Sequence, residues 1–245
     1  MTERVLNWDG CVNVRDLGGH MTEDGRVTGF GAVVRADSVR QLTSAGWTAL
    51  VDYGVRTIVD LRRHDELAGD PPGEAPVSVV HVPLAGVDEN HAVQRVWRAP
   101  GEGHVAIRDA YVLMLEQLGP RFARAVDAVG TAPAGGVVVH CYAGKDRTGL
   151  VCAMLLRMAG VSLEDIAADY ALSGDNIRPL IDPWADAATD EEERELRLRI
   201  GSSPAEVMTD VLVELERNHG SVREYLLAEG ASGTGLEQAR ERLFG

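Results

Sequence analysis

Lysine is almost missing from this 245-residue sequence: of 24 basic residues only Lys145 is a lysine, and the others are arginines. Positive charge is scarce as well, since 38 acidic residues stand against those 24 and leave a net charge of −14. With a pI near 4.9 the chain lacks the basic surface that draws nucleic acids or anionic membranes, so no nucleic-acid partner is expected. No run approaches the ~20 consecutive apolar residues of a spanning helix, so no membrane insertion is expected. Met1 to Asp9 carries no apolar core of the kind a secretory leader needs. Cysteine is rare too: Cys11, Cys141 and Cys152 are an odd number and make no disulfide framework. These absences lead to the expectation of a reduced, cytoplasmic protein that holds any anion at one locally positive place. No pattern specifies an oligomeric state.

An ordinary globular composition remains, 45% hydrophobic and 25% charged. Nothing reads as a linker or a repeat; Gly69 to Pro76 is glycine- and proline-rich but short, and reads as a surface loop. Strands are predicted over Val12–Leu17, Ala32–Arg35, Arg56–Leu61, Val77–Val82 and Gly136–His140, with a tight hairpin turn at Asp24-Gly25. Thr43 suits the cap of a helix reaching Tyr53, and Gly54 its stop. His104 to Gly130 has helical apolar spacing interrupted at Gly119-Pro120, which predicts two helices. Beyond Cys141 helices dominate, with an apolar one over Arg147–Ala159, capping boxes at Ser162–Asp165 and Thr189–Glu192, and Pro204 as a first helical residue. The pattern predicts a single α/β domain over 1–245, with a short central, largely parallel sheet flanked by helices and a helical C-terminal part.

The segment richest in chemistry is His140-Cys141-Tyr142-Ala143-Gly144-Lys145-Asp146-Arg147-Thr148-Gly149, set between a buried strand and a helix. A loop turning from strand into helix can aim its backbone N–H groups at a tetrahedral oxyanion, here from Tyr142 to Arg147. Gly144 permits the tight path, and Arg147 supplies a planar fork for two phosphate oxygens. Cys141 sits in that positive field, which favours a nucleophilic thiolate. Thr148 can donate a hydrogen bond to the sulfur and help it leave. Together these parts describe phosphoryl transfer to cysteine followed by hydrolysis of the thiophosphate. A plain buried cysteine with an unrelated arginine is the alternative, and the strand–loop–helix setting argues against it.

This loop resembles that of the cysteine-dependent protein tyrosine phosphatase superfamily. Asn13-Val14-Arg15-Asp16-Leu17-Gly18-Gly19, Thr57-Ile58-Val59-Asp60-Leu61-Arg62 with Glu66 beyond it, and Gly220 to Leu226 are similar to the bacterial family typified by the mycobacterial tyrosine phosphatase B. The resemblance spans nearly the whole chain. It implies hydrolysis of phosphotyrosine, with phosphoserine, phosphothreonine and phosphoinositides as further substrates, and neither metal nor cofactor.

Tyrosine phosphatases usually protonate the leaving oxygen from an aspartate in a Trp-Pro-Asp loop upstream of the cysteine, and that tripeptide is absent here. Asp182-Pro183-Trp184 has its letters reversed and lies downstream, so it is read as coincidence. Asp146 is favoured as the acid for its fixed place beside the phosphate, with a loop-stiffening acceptor as its alternative role. Asp60, at a strand end, and Asp88, after Val77–Val82, are the alternative acids; Asp60 is rather expected to order the site, and Asp88 is read as a solvated loop residue. Lys145 would add a second cation, unless it is a surface lysine pointing away. His140 reads as a loop-ordering residue, Cys152 as core and Cys11 as structural. Asn13, Arg15 and Asp16 are expected to buttress the loop, with a plain turn as the alternative, and Arg62 is a candidate for substrate contact. The acidic stretch over residues 176–203 reads as solvent-facing helices and as a candidate lid, one whose charge would discourage polyanionic lipids.

The expected activity is therefore phosphatase action on phosphoprotein through Cys141, Arg147, Asp146 and Thr148. A phosphatase for a small phosphorylated metabolite such as a sugar or nucleotide keeps the same chemistry, because loop and fold do not fix the substrate. A non-catalytic phosphate-binding module and a rhodanese-like sulfur transferase are the other readings; the intact cysteine and arginine argue against the first, and Arg147-Thr148 against the second.

Overall fold

The computed structural model describes residues 4–70, 75–85, 87–98 and 103–245, the side chains of 87–90, 94 and 103 excepted. Strands β1 (Arg15–Asp16), β2 (Val33–Ala36), β3 (Val55–Asp60), β4 (Ser78–His81) and β5 (Gly136–His140) form one sheet in the order β1-β2-β5-β3-β4. Only the β1–β2 pairing is antiparallel. The helices before β5 are α1 (Ser44–Asp52), α2 (His64–Gly69), α3 (Val87–Trp97) and α4 (Gly103–Thr131). After it come α5 (Asp146–Met158), α6 (Leu163–Asn176), α7 (Arg178–Asp186), α8 (Glu191–Gly201), α9 (Ala205–His219), α10 (Val222–Ala228) and α11 (Gly233–Arg242). The expected α/β class and largely parallel sheet are what the chain adopts.

The central place of β5 follows from its composition. Gly-Val-Val-Val has no polar side chain, as a strand covered on both faces requires. Val137 and Val139 face the larger core, while Val138 joins Trp8, Leu50 and Ile58 in the smaller one beneath α1. Cys141 continues the alternation onto the larger side, so its thiol is tied to the most buried layer of the molecule. β5 is flanked by β2 and β3, which bring Ala36 and Asp60 level with His140, and β4 sets His81 beside Asp60. The C-terminal ends of the four parallel strands thus form one row, the edge at which sites in open α/β sheets are built.

Several local expectations shift. The Val12–Leu17 run shortens to β1 because the N–H groups of Val12 and Asn13 go to the Asp37 carboxylate, 3.1 and 3.0 Å away, rather than to a neighbouring strand. The two helices expected on either side of Gly119-Pro120 are one, α4, which passes through Pro120. The proline removes a single intrahelical hydrogen bond. Tyr111, Leu118, Phe122 and Val126, all buried, hold both halves of the helix to one core and offset that loss. A Cβ at Gly119 would lie 2.2 Å from the Glu229 carboxylate, so that flexible side chain would have to shift. Helix α8 is capped by Asp190, not Thr189, and Pro204 stands at the cap of α9, before its first turn. The hairpin turn at Asp24-Gly25 and the Thr43 cap of α1 form as expected. The loop over 69–76 lies partly outside the described residues.

His20 is 5% exposed beside the Gly18-Gly19 turn, and burial, reinforced by Arg4, lowers its pKa to about 4. It stays neutral in the fold but charges in the unfolded chain below its ordinary value of about 6.5. Its contribution to stability is therefore lost as the pH falls from about 6.5 towards 4. The urea midpoint should drop between about pH 7 and pH 5 and drop less in His20→Gln; parallel pH profiles for the two proteins would acquit His20.

Candidate functional site

The loop from β5 into α5 is held open by donors from the N-terminal half of the chain. Asn13 Nδ2 donates to the Ala143 carbonyl at 3.0 Å, Ser38 N–H to that of Tyr142 at 2.9 Å, and Arg35 Nη2 to that of Gly144 at 2.9 Å. With three successive carbonyls turned to these donors, the loop N–H groups and the start of α5 are left for an anion. Gly144 adopts φ +69°, and a Cβ there would sit 2.5 Å from the Ala36 carbonyl oxygen, so no other residue fits the turn.

Cys141, 2% exposed, lies with Tyr142, Ala143, Lys145, Asp146 and Arg147 at the polar end of a cavity of ≈ 360 Å³. Arg147 is gripped by Glu66 through two hydrogen bonds, Nη1 to Oε2 at 2.6 Å and Nη2 to Oε1 at 2.8 Å. Burial alone would ease its deprotonation, but Glu66 outweighs this and holds the guanidinium pKa above its ordinary value. Glu66 itself is fixed by the Arg63 N–H at 2.7 Å, in the capping box that starts α2. With Nη1 also donating to the Leu61 carbonyl at 3.4 Å, three of the five N–H donors of Arg147 are committed, which sets the plane in which the other two could meet an oxyanion.

Lys145 is buried rather than pointing away, and its Nζ donates to Asp146 Oδ1 at 2.7 Å. Burial opposes its charge, and the Asp146 carboxylate more than restores it, so the ammonium pKa is raised. Tyr111 OH also donates to Asp146 Oδ1, at 2.6 Å. Behind the loop, Asp169 receives Arg4, Arg15 and Arg35; Arg15 Nε lies 3.0 Å from Oδ1 and Arg35 Nη1 2.6 Å from Oδ2. Burial raises the Asp169 pKa, yet the three arginines override it and hold the carboxyl far below the usual range. Arg15, itself lowered to about 10 by burial, reaches on to Asn13 Oδ1 at 2.7 Å.

The expected supporting residues thus divide. Asn13 touches the loop, and Arg15 reaches it through Asn13. Asp16 does not touch it: its oxygens take Gly18 N–H, Gly31 N–H and Tyr53 OH, which fold the entry to β2. Arg62, considered for substrate contact, is 1% exposed and spends its guanidinium on Asp60, Asp70 and Ser38. Asp60 is its partner and lies 3.5 Å from His140 Nε2, so both carboxylate and arginine brace the strand ends. His140 is lowered to about 4 by burial, and its Nδ1 stands 3.1 Å from the Cys141 carbonyl, which can only accept; Nδ1 therefore carries the hydrogen. Thr148 Oγ1 is buried with no hydrogen-bond partner among the described residues. Cys152 is core, its thiol pushed up to about 12 by burial, and Cys11 is half-buried with its thiol donating to the Ser38 carbonyl at 3.5 Å. Asp88 falls within α3 rather than a loop, and its side chain lies outside the described residues.

The 176–203 stretch forms α7 and α8, which carry ion pairs such as Arg197–Glu193 and Arg178–Asp182. Ile177, Leu180, Ile181, Trp184 and Ile200 line the cavity opposite Cys141. In Asp182-Pro183-Trp184 the aspartate pairs with Arg178, and the tryptophan faces the cavity. Arg35, Asp169, Ser173, Tyr111 and Tyr170 were not singled out from the sequence. For Asp169 and Ser173 there was a signal: polar residues four apart on the same side of α6 as the buried Ile166 and Tyr170. Tyr111 offered none beyond its place in an apolar helical pattern.

Residues 6–245 match the tyrosine phosphatase family. The chain is 29% identical to a tyrosine-protein phosphatase of Nostoc commune over 86% of its own length and 74% of that protein's. It is 27% identical to the triple specificity protein phosphatase PtpB of Mycobacterium tuberculosis, over 88% of this chain and 91% of the relative. A putative tyrosine-protein phosphatase of Cupriavidus necator is 32% identical over 67% of this chain and 61% of its own.

Asp169→Asn would leave Arg15 and Arg35 buried without the carboxylate that pairs with both. Loss of one partner from a buried ionic cluster costs about 3–5 kcal/mol, and a loss of that size is expected in denaturant unfolding. A change below about 1 kcal/mol would show that the cluster does not hold the fold.

Proposed function

This chain belongs to the tyrosine phosphatase family, and on that premise we propose that it hydrolyses phosphomonoesters, phosphotyrosine in protein foremost, through a phosphocysteine intermediate on Cys141. As a member it is a phosphoric monoester hydrolase. The observation that carries the cysteine reading is the Glu66–Arg147 clamp, which fixes the fork of Arg147 over the same cavity floor that holds Cys141.

In the proposed first step the Arg147 fork and the loop N–H groups from Tyr142 onward bind the three non-bridging oxygens. The Cys141 thiolate forms an S–P bond while the P–O bond to the leaving group breaks, and Asp146 gives its proton to that oxygen. In the second step water attacks phosphorus, Asp146 takes its proton, and the S–P bond breaks with the Thr148 hydroxyl donating to the departing sulfur. Inorganic phosphate and the free hydroxyl compound are the products. Lys145 counters the charge of a bound dianion and the charge that Asp146 carries once it has given up its proton. Asn13, Arg15, Asp60, Arg62 and His140 hold the framework.

The cavity walls favour an aromatic leaving group over a sugar or nucleotide. Beyond the polar floor they are built of Leu84, Met114, Leu180, Ile181 and Trp184, which offer few partners for hydroxyl groups. A relative named a triple specificity protein phosphatase supports a range wider than phosphotyrosine, for which phosphoserine, phosphothreonine and phosphoinositides are the substrates we propose. We assign α7 and α8 the role of a lid, since their apolar faces roof the cavity and a protein substrate must displace them. The whole of 1–245 acts as one catalytic domain in this reading.

The test compares kcat/KM for a phosphotyrosine peptide, a phosphoserine peptide, a phosphoinositide and sugar and nucleoside monophosphates. The peptide bearing phosphotyrosine should lead, Cys141→Ser should abolish turnover, and acid quenching of the native protein should trap phosphate on the peptide containing Cys141. A sugar or nucleotide preferred over phosphotyrosine would replace the substrate class. Activity that survives Cys141→Ser would remove the intermediate, and no turnover of any substrate would leave a phosphate-binding module.

A further inference from the structure

The acid assigned above has one of its two oxygens held by buried hydroxyl and ammonium groups. Tyr111 OH and Lys145 Nζ converge on Asp146 Oδ1 at 2.6 and 2.7 Å. Among the described residues no hydrogen bond reaches Oδ2, and the side chain is 21% exposed in the cavity that holds Cys141. Tyr111 OH is also 2.9 Å from Tyr170 OH. A phenol has one hydrogen, and Tyr111 commits its own to the carboxylate, so Tyr170 donates to Tyr111. The two rings are fully buried and perpendicular, 82° apart with centroids at 6.1 Å, so neither hydroxyl has freedom to turn elsewhere. Burial, and after it the Asp146 charge, push the ionisation of Tyr111 far above its ordinary value and keep it a donor.

We infer that Tyr111, backed by Tyr170, is a positioning residue for proton transfer: it pins Asp146 through Oδ1 and leaves Oδ2 to serve the leaving oxygen. This rests on the reading of Asp146 as the acid. As the S–P bond forms and the P–O bond breaks, the proton passes from Oδ2 to the bridging oxygen. The negative charge that develops on Asp146 is met by donors already in place on Oδ1. A short phenol–carboxylate hydrogen bond is of the charge-assisted kind, so it strengthens as the carboxylate forms. Tyr111 thus acts in the transition state more than on the resting site. The geometry comes from α4 and α6, which carry the two tyrosines, and not from a loop that must close.

A leaving-group series separates positioning from mere structural support. Proton donation matters for a basic leaving oxygen and little for one that departs readily as an anion. On the full chain, Tyr111→Phe should lower kcat/KM for phenyl phosphate by about 10- to 100-fold and for an activated fluorinated or nitrated aryl phosphate by less than about threefold. Tyr170→Phe should show the same slope with a smaller loss and provides the reading if Tyr111→Phe fails to fold. An equal loss across the series, or none, would overturn the inference. Asp146→Asn is run beside them. A flat series for Asp146→Asn sinks the acid assignment and this inference together, whereas a steep one beside a flat Tyr111→Phe sinks this inference alone.

Discussion

One buried carboxylate, Asp169, allows an acidic protein to concentrate positive charge behind a single loop. Three arginines meet it, so the cluster carries surplus positive charge in the interior. Two routes lead from it to the loop. Arg35 spans from Asp169 to the Gly144 carbonyl, and Arg15 runs from Asp169 to Asn13, which holds the Ala143 carbonyl. Each arginine would be intolerable at that depth without the aspartate, and the loop carbonyls would turn elsewhere without the arginines. Ser173, one helical turn beyond Asp169, accepts from both Arg15 and Arg35 and completes their coordination. The N-terminal segment, the sheet and α6 are thereby joined at the point where the loop needs them.

On the substrate side of the loop the charges are paired. Lys145 is answered by Asp146 and Arg147 by Glu66, so neither cation stands as a free charge in the cavity. An oxyanion at this loop would meet fixed directions: a guanidinium plane set by Glu66, backbone N–H groups, and the surplus charge behind them. Fixed dipoles of this kind need little rearrangement when a phosphate enters or when charge shifts during reaction. Such an arrangement suits a chain whose net charge of −14 offers an anion no general welcome.

Much of this was legible in the sequence, and the reasons are local. The Val-Val-Val of β5 announced a strand buried on both faces, and the residues after it, Cys141 to Arg147, lie in the order in which the loop uses them. Gly144 was readable because only glycine tolerates the turn. What stayed hidden depended on pairing across long chain separations. Arg62 looked available for substrate, but Asp60 and Asp70 take it up. Asp16 stood in a promising signature yet serves a turn two residues away. Tyr111 and Trp184 look like ordinary members of helices, and only the folding of α4 and α7 over the sheet edge brings Tyr111 to Asp146 and Trp184 to the cavity. Pro120 misled for a complementary reason: a local breaker was overruled by packing on both sides of it.

The burial of Lys145 reaches beyond the site. It is the one lysine in the chain and is 2% exposed, so the folded surface presents no lysine amine from residue 4 onward among the described residues. Lysine-specific proteases and amine reagents act on lysine side chains, and here the single such side chain is buried in the β5–α5 loop, tied to Asp146 and Tyr111. Modification or cleavage at that residue therefore measures how often the loop comes apart, and the protein carries its own one-residue probe of that loop.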